Sequence, residues 1–183
     1  MSDSGVTSRG VAAFDALPDY DAAPLLESCC GSHAWVRAML ERRPFRSLVR
    51  VFDEADAIWW SLLPEDWREA FDHHPRIGEQ SAAAPQAAVA RAWSADEQRG
   101  AATSSDATRQ ALAEENRKYE RRFGHIYLVC ATGKSAEEML DLLRARLSNA
   151  PATELRVAAL EQAKITRLRL EKLFGSTSTG ERA

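Results

Sequence analysis

"GHIYLVCATG", residues 124–133, is the one stretch of this chain that reads like a β-strand, and the fold class turns on it. It is short and apolar, rich in Ile, Tyr and Val, and bounded by glycines. Pattern alone does not separate such a run from a buried helical segment. A strand also needs a pairing partner, and the sequence offers no second candidate. The stretch is therefore expected to be a buried extended turn or part of a helix, and the fold to be all-α.

Working outward, the rest of the chain is rich in Ala, Leu, Glu and Arg, which favour helix. In "APLLESCCGSHAWVRAMLERR" apolar residues return at Trp35, Met39 and Leu40 before Pro44 closes the segment. The next pattern carries Leu48, Phe52, Ala55, Trp59 and Leu62 and breaks at Pro64, after which Trp67 and Phe71 continue on a short helix. Leu112, Tyr119 and Phe123 share one face, as do Met139, Leu140, Leu143 and Leu147. A long last helix carries Leu155, Ala159, Ile165, Leu168 and Leu173. These elements predict a single-domain multi-helix bundle over residues 13–174. Residues 1–12 are expected to be a disordered segment, and 175–183 a flexible tail.

The totals narrow the function. The 183 residues suit one domain, and a net charge of −3 lacks the basic surplus of a nucleic-acid binder. No apolar run approaches the roughly 20 residues of a membrane span, and no signal peptide is visible. Cys29, Cys30 and Cys130 are too few and too oddly placed for a disulfide framework, so a soluble cytoplasmic protein is expected. Four histidines and three cysteines show no metal-ligand spacing, so no metal is expected. "ATGKS", residues 131–135, ends like a phosphate-binding loop, but Leu128 stands where that motif needs glycine.

Three places can carry chemistry, each beside a structural reading. In "FDHHPRIGEQ", residues 71–80, His74 precedes Pro75, which pushes it out of the α region. An imidazole with an ordinary pKa of about 6.5 suits proton transfer, yet it also suits a loop near a helix end. His73 reads as solvent-facing or capping. "SADE", Ser94 to Glu97, fits a capping box, with Ser94 as N-cap; alternatively Glu97 and Gln98 face a ligand at a helix N-terminus. Arg169 lies at the edge of an apolar helix face, either as solvated surface or as a fork for a carboxylate.

"HPRIGE", "WSADEQ", "FGHIYLVCATGKSAEEML" and "EQAKITRLRLEKLF", in that order, resemble the OHCU decarboxylase family, as does "RPF" at residues 43–45. The resemblance runs from about Phe14 to Phe174. It implies an all-α, cofactor-independent carboxy-lyase, usually a homodimer, in urate degradation. The implied substrate is the small anion 2-oxo-4-hydroxy-4-carboxy-5-ureidoimidazoline, and the implied product is (S)-allantoin. Carried over residue by residue, it implies catalytic roles for His74, Glu97 and Arg169. It implies substrate contacts for Pro75, Ser94, Gln98, Tyr127, Leu128, Val129, Cys130 and Ala131. One departure stands out: many members have an aromatic residue and a proline after the Phe-Gly pair, where this chain has His125 and Ile126. The alternatives are a non-catalytic helical interaction domain and a metal-dependent amidohydrolase of the same pathway.

Overall fold

The computed structural model describes residues 10–77, 89, 92–94 and 104–175, and these contain eight helices longer than four residues and no strand. They are α1 (Val11–Asp15), α2 (Asp19–Cys29), α3 (His33–Glu41), α4 (Leu48–Ser61), α5 (Pro64–Asp72), α6 (Asp106–Phe123), α7 (Ala136–Arg146) and α8 (Pro151–Phe174). The all-α expectation holds. Helix α1 begins two residues before the expected domain boundary, within the segment read as disordered.

The pattern read across residues 23–43 resolves into two helices. Helix α2 stops at Cys29, and the Ser32 hydroxyl accepts from Trp35 N to start α3. Gly31, in the break, lies against the base of the site: a Cβ there would meet the His73 side chain at 2.3–2.6 Å. Elsewhere the helix ends follow the sequence. Ser105 caps α6, Gly124 ends it with φ +73°, and Ser135 and Glu138 form a reciprocal capping box on α7.

Two apolar cores result. The larger joins α1 to α5 and α8 through Phe14, Leu26, Trp35, Trp59, Phe71 and Leu170. The smaller joins α6 and α7 through Leu112, Tyr119, Met139 and Leu143. Residues 126–131 form the seam between them. They are extended, and successive side chains point to opposite sides: Leu128 and Cys130 enter the larger core, while Tyr127, Val129 and Ala131 enter the smaller. This alternation explains the strand-like composition of the opening stretch.

A lone extended segment must still satisfy its backbone. Here side chains replace the missing neighbour strand. Arg146 Nη1 donates to the Leu128 carbonyl at 2.8 Å, Cys130 N–H donates to Glu161 at 2.8 Å, and Lys134 Nζ donates to the Cys130 carbonyl at 2.8 Å. Arg146 is itself held by the fully buried Glu154, with Nη2 to Oε1 at 2.6 Å. Tyr119 Oη also donates to Glu154, and the Arg146 guanidinium lies over the Tyr127 ring at 4.8 Å.

Candidate active site

Helix α5 ends in His73, whose ring Nδ1–H donates to the Glu69 carbonyl at 2.9 Å. His73 thus caps its helix, one of the two readings offered by the sequence, with its backbone at φ −81°, ψ 0°. His74 follows, with its own N–H on the Phe71 carbonyl at 3.0 Å and its imidazole buried. Burial first, then the Arg169 guanidinium, hold its pKa well below the ordinary histidine value. His74 is therefore a neutral imidazole near neutral pH.

The turn that presents His74 is tied from outside. Arg76 grips Glu120 of α6 with two bonds of 2.6 and 2.9 Å, and buried Asn116 donates to the Ile77 carbonyl at 3.2 Å. Pro75 limits the backbone between these anchors.

From α8, Arg169 comes in at 3% exposure; Nη2 donates to the Ser94 hydroxyl at 2.9 Å, and Nη1 to the Ser28 carbonyl at 3.3 Å. This settles the reading of Arg169 against solvated surface. It also corrects the reading of Ser94 as an N-cap. Ala92, Trp93 and Ser94 already have helical backbone, whereas an N-cap is non-helical, and the Ser94 hydroxyl is committed to Arg169. Glu97 and Gln98 lie outside the described residues.

His74, Pro75, Ser94 and the whole run Tyr127 to Ala131 line one cleft, with Ile77, Thr132 and Ile165 completing the wall. It is a partly open cleft of about 20 Å³, room for about one water. Arg169 stands behind Ser94 rather than on the lining. The backbone alternation of residues 126–131 matters again here. The Leu128 and Cys130 groups turn to Arg146, Glu161 and Lys134, so the Tyr127 and Val129 groups turn the other way. Among the described residues the Val129 N–H and carbonyl meet no hydrogen-bond partner. An edge with donor and acceptor both presented suits a ligand with a urea-like edge.

The departure at His125 fills an aromatic place. Its ring is buried among Phe71, Tyr119 and Phe123, with centroids at 5.4, 5.5 and 6.2 Å. Burial lowers its pKa as well, and Nδ1–H donates to the Ile126 carbonyl at 3.0 Å. Among the described residues no three His, Cys, Asp or Glu side chains converge as metal ligands would.

Sequence reasoning missed the buried polar residues that support this site: Arg146, Glu154, Gln162 and Thr166. The signal was present. Arg146 follows Met139 and Leu143 at helical spacing, and Gln162 and Thr166 precede Arg169 on the stripe that carries Ala158 and Ile165.

The family model for OHCU decarboxylase matches residues 15–171. The chain belongs to the OHCU decarboxylase family. A uric acid degradation bifunctional protein of Arabidopsis thaliana is 39% identical over 147 residues, covering 80% of this chain and 45% of the relative. The 2-oxo-4-hydroxy-4-carboxy-5-ureidoimidazoline decarboxylase of Amia calva is 39% identical over 64 residues, covering 35% of this chain and 37% of the relative. The chain thus spans less than half the length of these two relatives. Among solved structures, an OHCU decarboxylase crystallised in the presence of (S)-allantoin superposes with a TM-score of 0.72 at 34% identity, covering 87% of this chain and all of the other. An (S)-allantoin synthase shares the fold, with a TM-score of 0.67 at 16% identity, over 90% of this chain and 54% of the other.

Proposed function

We propose that this chain decarboxylates 2-oxo-4-hydroxy-4-carboxy-5-ureidoimidazoline to (S)-allantoin, without a cofactor, in urate degradation. The observation that carries the reading is the cleft in which a buried neutral histidine meets a backbone edge with a donor and an acceptor unpaired among the described residues. Family membership and the likeness to the OHCU decarboxylase crystallised with (S)-allantoin support it.

When CO2 leaves, the electron pair of the broken bond passes into the imidazoline ring of the substrate. The protein's work is to hold the ring, place charge and manage one proton. From behind Ser94, Arg169 acts on an anionic part of the substrate by its charge and through the Ser94 hydroxyl it grips. The backbone of Tyr127 to Ala131 takes the ureido edge, with Glu97 and Gln98 on the ring N–H groups. His74 faces the reacting carbon, where a neutral imidazole can assist carboxylate loss or relay the proton that sets the stereocentre.

The family resemblance adds a homodimer to this reading, and the sparse cysteines add a cytoplasmic setting. Sedimentation velocity and fractionation test these two. All three cysteines are buried and lie outside any disulfide, in keeping with a reducing compartment. Among the described residues no helix is long and apolar enough to cross a membrane.

The deciding experiment supplies substrate from urate with uricase and hydroxyisourate hydrolase, and follows circular dichroism. Rapid appearance of optically active allantoin, abolished by His74→Ala in a variant that keeps its helical spectrum, is the expected result. An unchanged slow racemic course with the wild-type chain refutes the decarboxylase reading.

A further inference from the structure

We propose that Gln162 is a positioning residue for His74: its side-chain oxygen, aimed by Thr166, fixes which ring nitrogen of His74 carries the proton. The proposal deepens the decarboxylase reading and rests on it for its kinetic consequence.

Helix α8 turns a mixed stripe inward. Gln162, Thr166 and Arg169 follow one another at spacings of four and three, with exposures of 0%, 6% and 3%. Glutamine at full burial is unusual, and its polar atoms call for partners. One end has them: Gln162 Nε2 donates to Thr166 Oγ1 at 3.1 Å. Thr166 in turn lies beside the buried Cys30 sulfur, which also faces the Ser32 N–H. Burial pushes the Cys30 thiol up to about 12, so it stays uncharged. The amide N–H end of Gln162 is therefore the end turned to Thr166.

That direction leaves the Gln162 oxygen at the opposite end. It is buried, no hydrogen-bond donor meets it within normal geometry, and it stands against the His74 imidazole. Among the described residues, the charged and titratable groups facing His74 are Arg169 from α8 and His73 from its own turn, and both disfavour a second proton on the ring. A neutral imidazole has one N–H and one lone pair. The nitrogen turned to the Gln162 oxygen keeps the hydrogen. The other presents its lone pair to the cleft, which His74 lines and Gln162 does not. Catalytic hydrogen bonds are commonly long without substrate and tighten in the complex, so the open gap at this oxygen fits the role.

The test begins with the wild-type chain. Long-range ¹⁵N–¹H spectra of ring-labelled protein report the tautomer of His74, assigned by its loss in His74→Ala. A single tautomer in the wild type, turning into a mixture in Gln162→Met, is the expected result. In turnover, Gln162→Met lowers kcat at least about tenfold with KM within about twofold, because substrate contacts are untouched. The acid limb of its pH profile moves to lower pH, since an acceptor that favoured the protonated ring is gone. Gln162→Glu moves that limb to higher pH. A wild-type His74 that populates both tautomers overturns the proposal, whether or not any variant folds. So does a folded Gln162→Met with an unchanged tautomer and pH profile. If the wild type shows one tautomer but no decarboxylase activity, the positioning stands and the functional reading fails.

Discussion

Replacing Arg146 with methionine tests the seam on which the cleft is built. The guanidinium bonds Glu154 through Nε at 2.7 Å and the Leu128 carbonyl through Nη1 at 2.8 Å, in a pocket where the Arg146 and Glu154 side chains are 10% and 0% exposed. Methionine keeps much of the stem but leaves a buried carboxylate without its cation. Breaking such a pair costs about 3–5 kcal/mol. The Tyr119 hydroxyl and Asn149 Nδ2 still donate to Glu154, which places the loss near the lower end of that range. For a domain of this size, about 3 kcal/mol lowers Tm by about 6–12 °C. Thermal melts followed at the helical band measure it directly. The double variant Arg146→Met with Glu154→Leu should regain much of the loss, because no unpaired charge remains. A single-variant loss below about 1 kcal/mol would refute the reasoning, since it would mean that Glu154 is not deprived of anything it needs.

Three further outcomes are expected. Arg169→Lys replaces a fork with a point charge that cannot serve Ser94 and Ser28 together, so kcat/KM should fall about 10- to 100-fold at little change in Tm; steady-state kinetics check this. Gly31→Ala drives a methyl into the His73 side chain and should lower stability by about 1–3 kcal/mol, read in urea, with activity falling as the His73–His74 turn shifts. His74 and His125 have lowered pKa values in the fold, so above about pH 6.5 they are neutral in both states and contribute no slope. As pH falls below that value the unfolded chain gains protons the fold refuses, and stability drops by up to about 1.4 kcal/mol per pH unit for each. His33, raised by its exposed pairing with Glu69, has the opposite sign: its contribution is present at low pH and fades as pH rises through its raised value. Urea titrations of wild type and His74→Asn across this range separate the terms, and an equal slope in both would exclude His74.

Much of the architecture is legible in the sequence because helix periodicity is a local property. The seam was legible only in part. Its length and bounding glycines announce something buried and extended, but its hydrogen-bond partners come from Arg146, Lys134 and Glu161 on other segments, which no local pattern connects to it. Ser94 shows the reverse failure. A serine three residues before a glutamate satisfies the capping pattern, yet its hydroxyl is claimed by an arginine 75 residues away. His74 and Arg169 stood out through resemblance rather than spacing, since a histidine before a proline and an arginine beside a leucine are common on their own. Gln162 and Thr166 show as polar interruptions of an apolar stripe, a signal that separates no function from a tolerated defect until the neighbours are known.

The reach of α8 bears on how the chain is made. Arg169 closes contacts with residues 141 and 75 positions earlier, and the Trp59 indole donates to the Ala159 carbonyl, 100 positions later. All-helical domains usually fold fast because their contacts are local. Here the contacts that complete the site are among the least local in the molecule. At a synthesis rate of about 5–20 residues per second, Trp59 waits about 5–20 s on the ribosome before Ala159 exists. During that interval the apolar faces of α2, α4 and α5 that α8 will cover stay open to solvent, to chaperones and to other nascent chains. The step that assembles the cleft is thus also the step that ends the chain's exposure to aggregation.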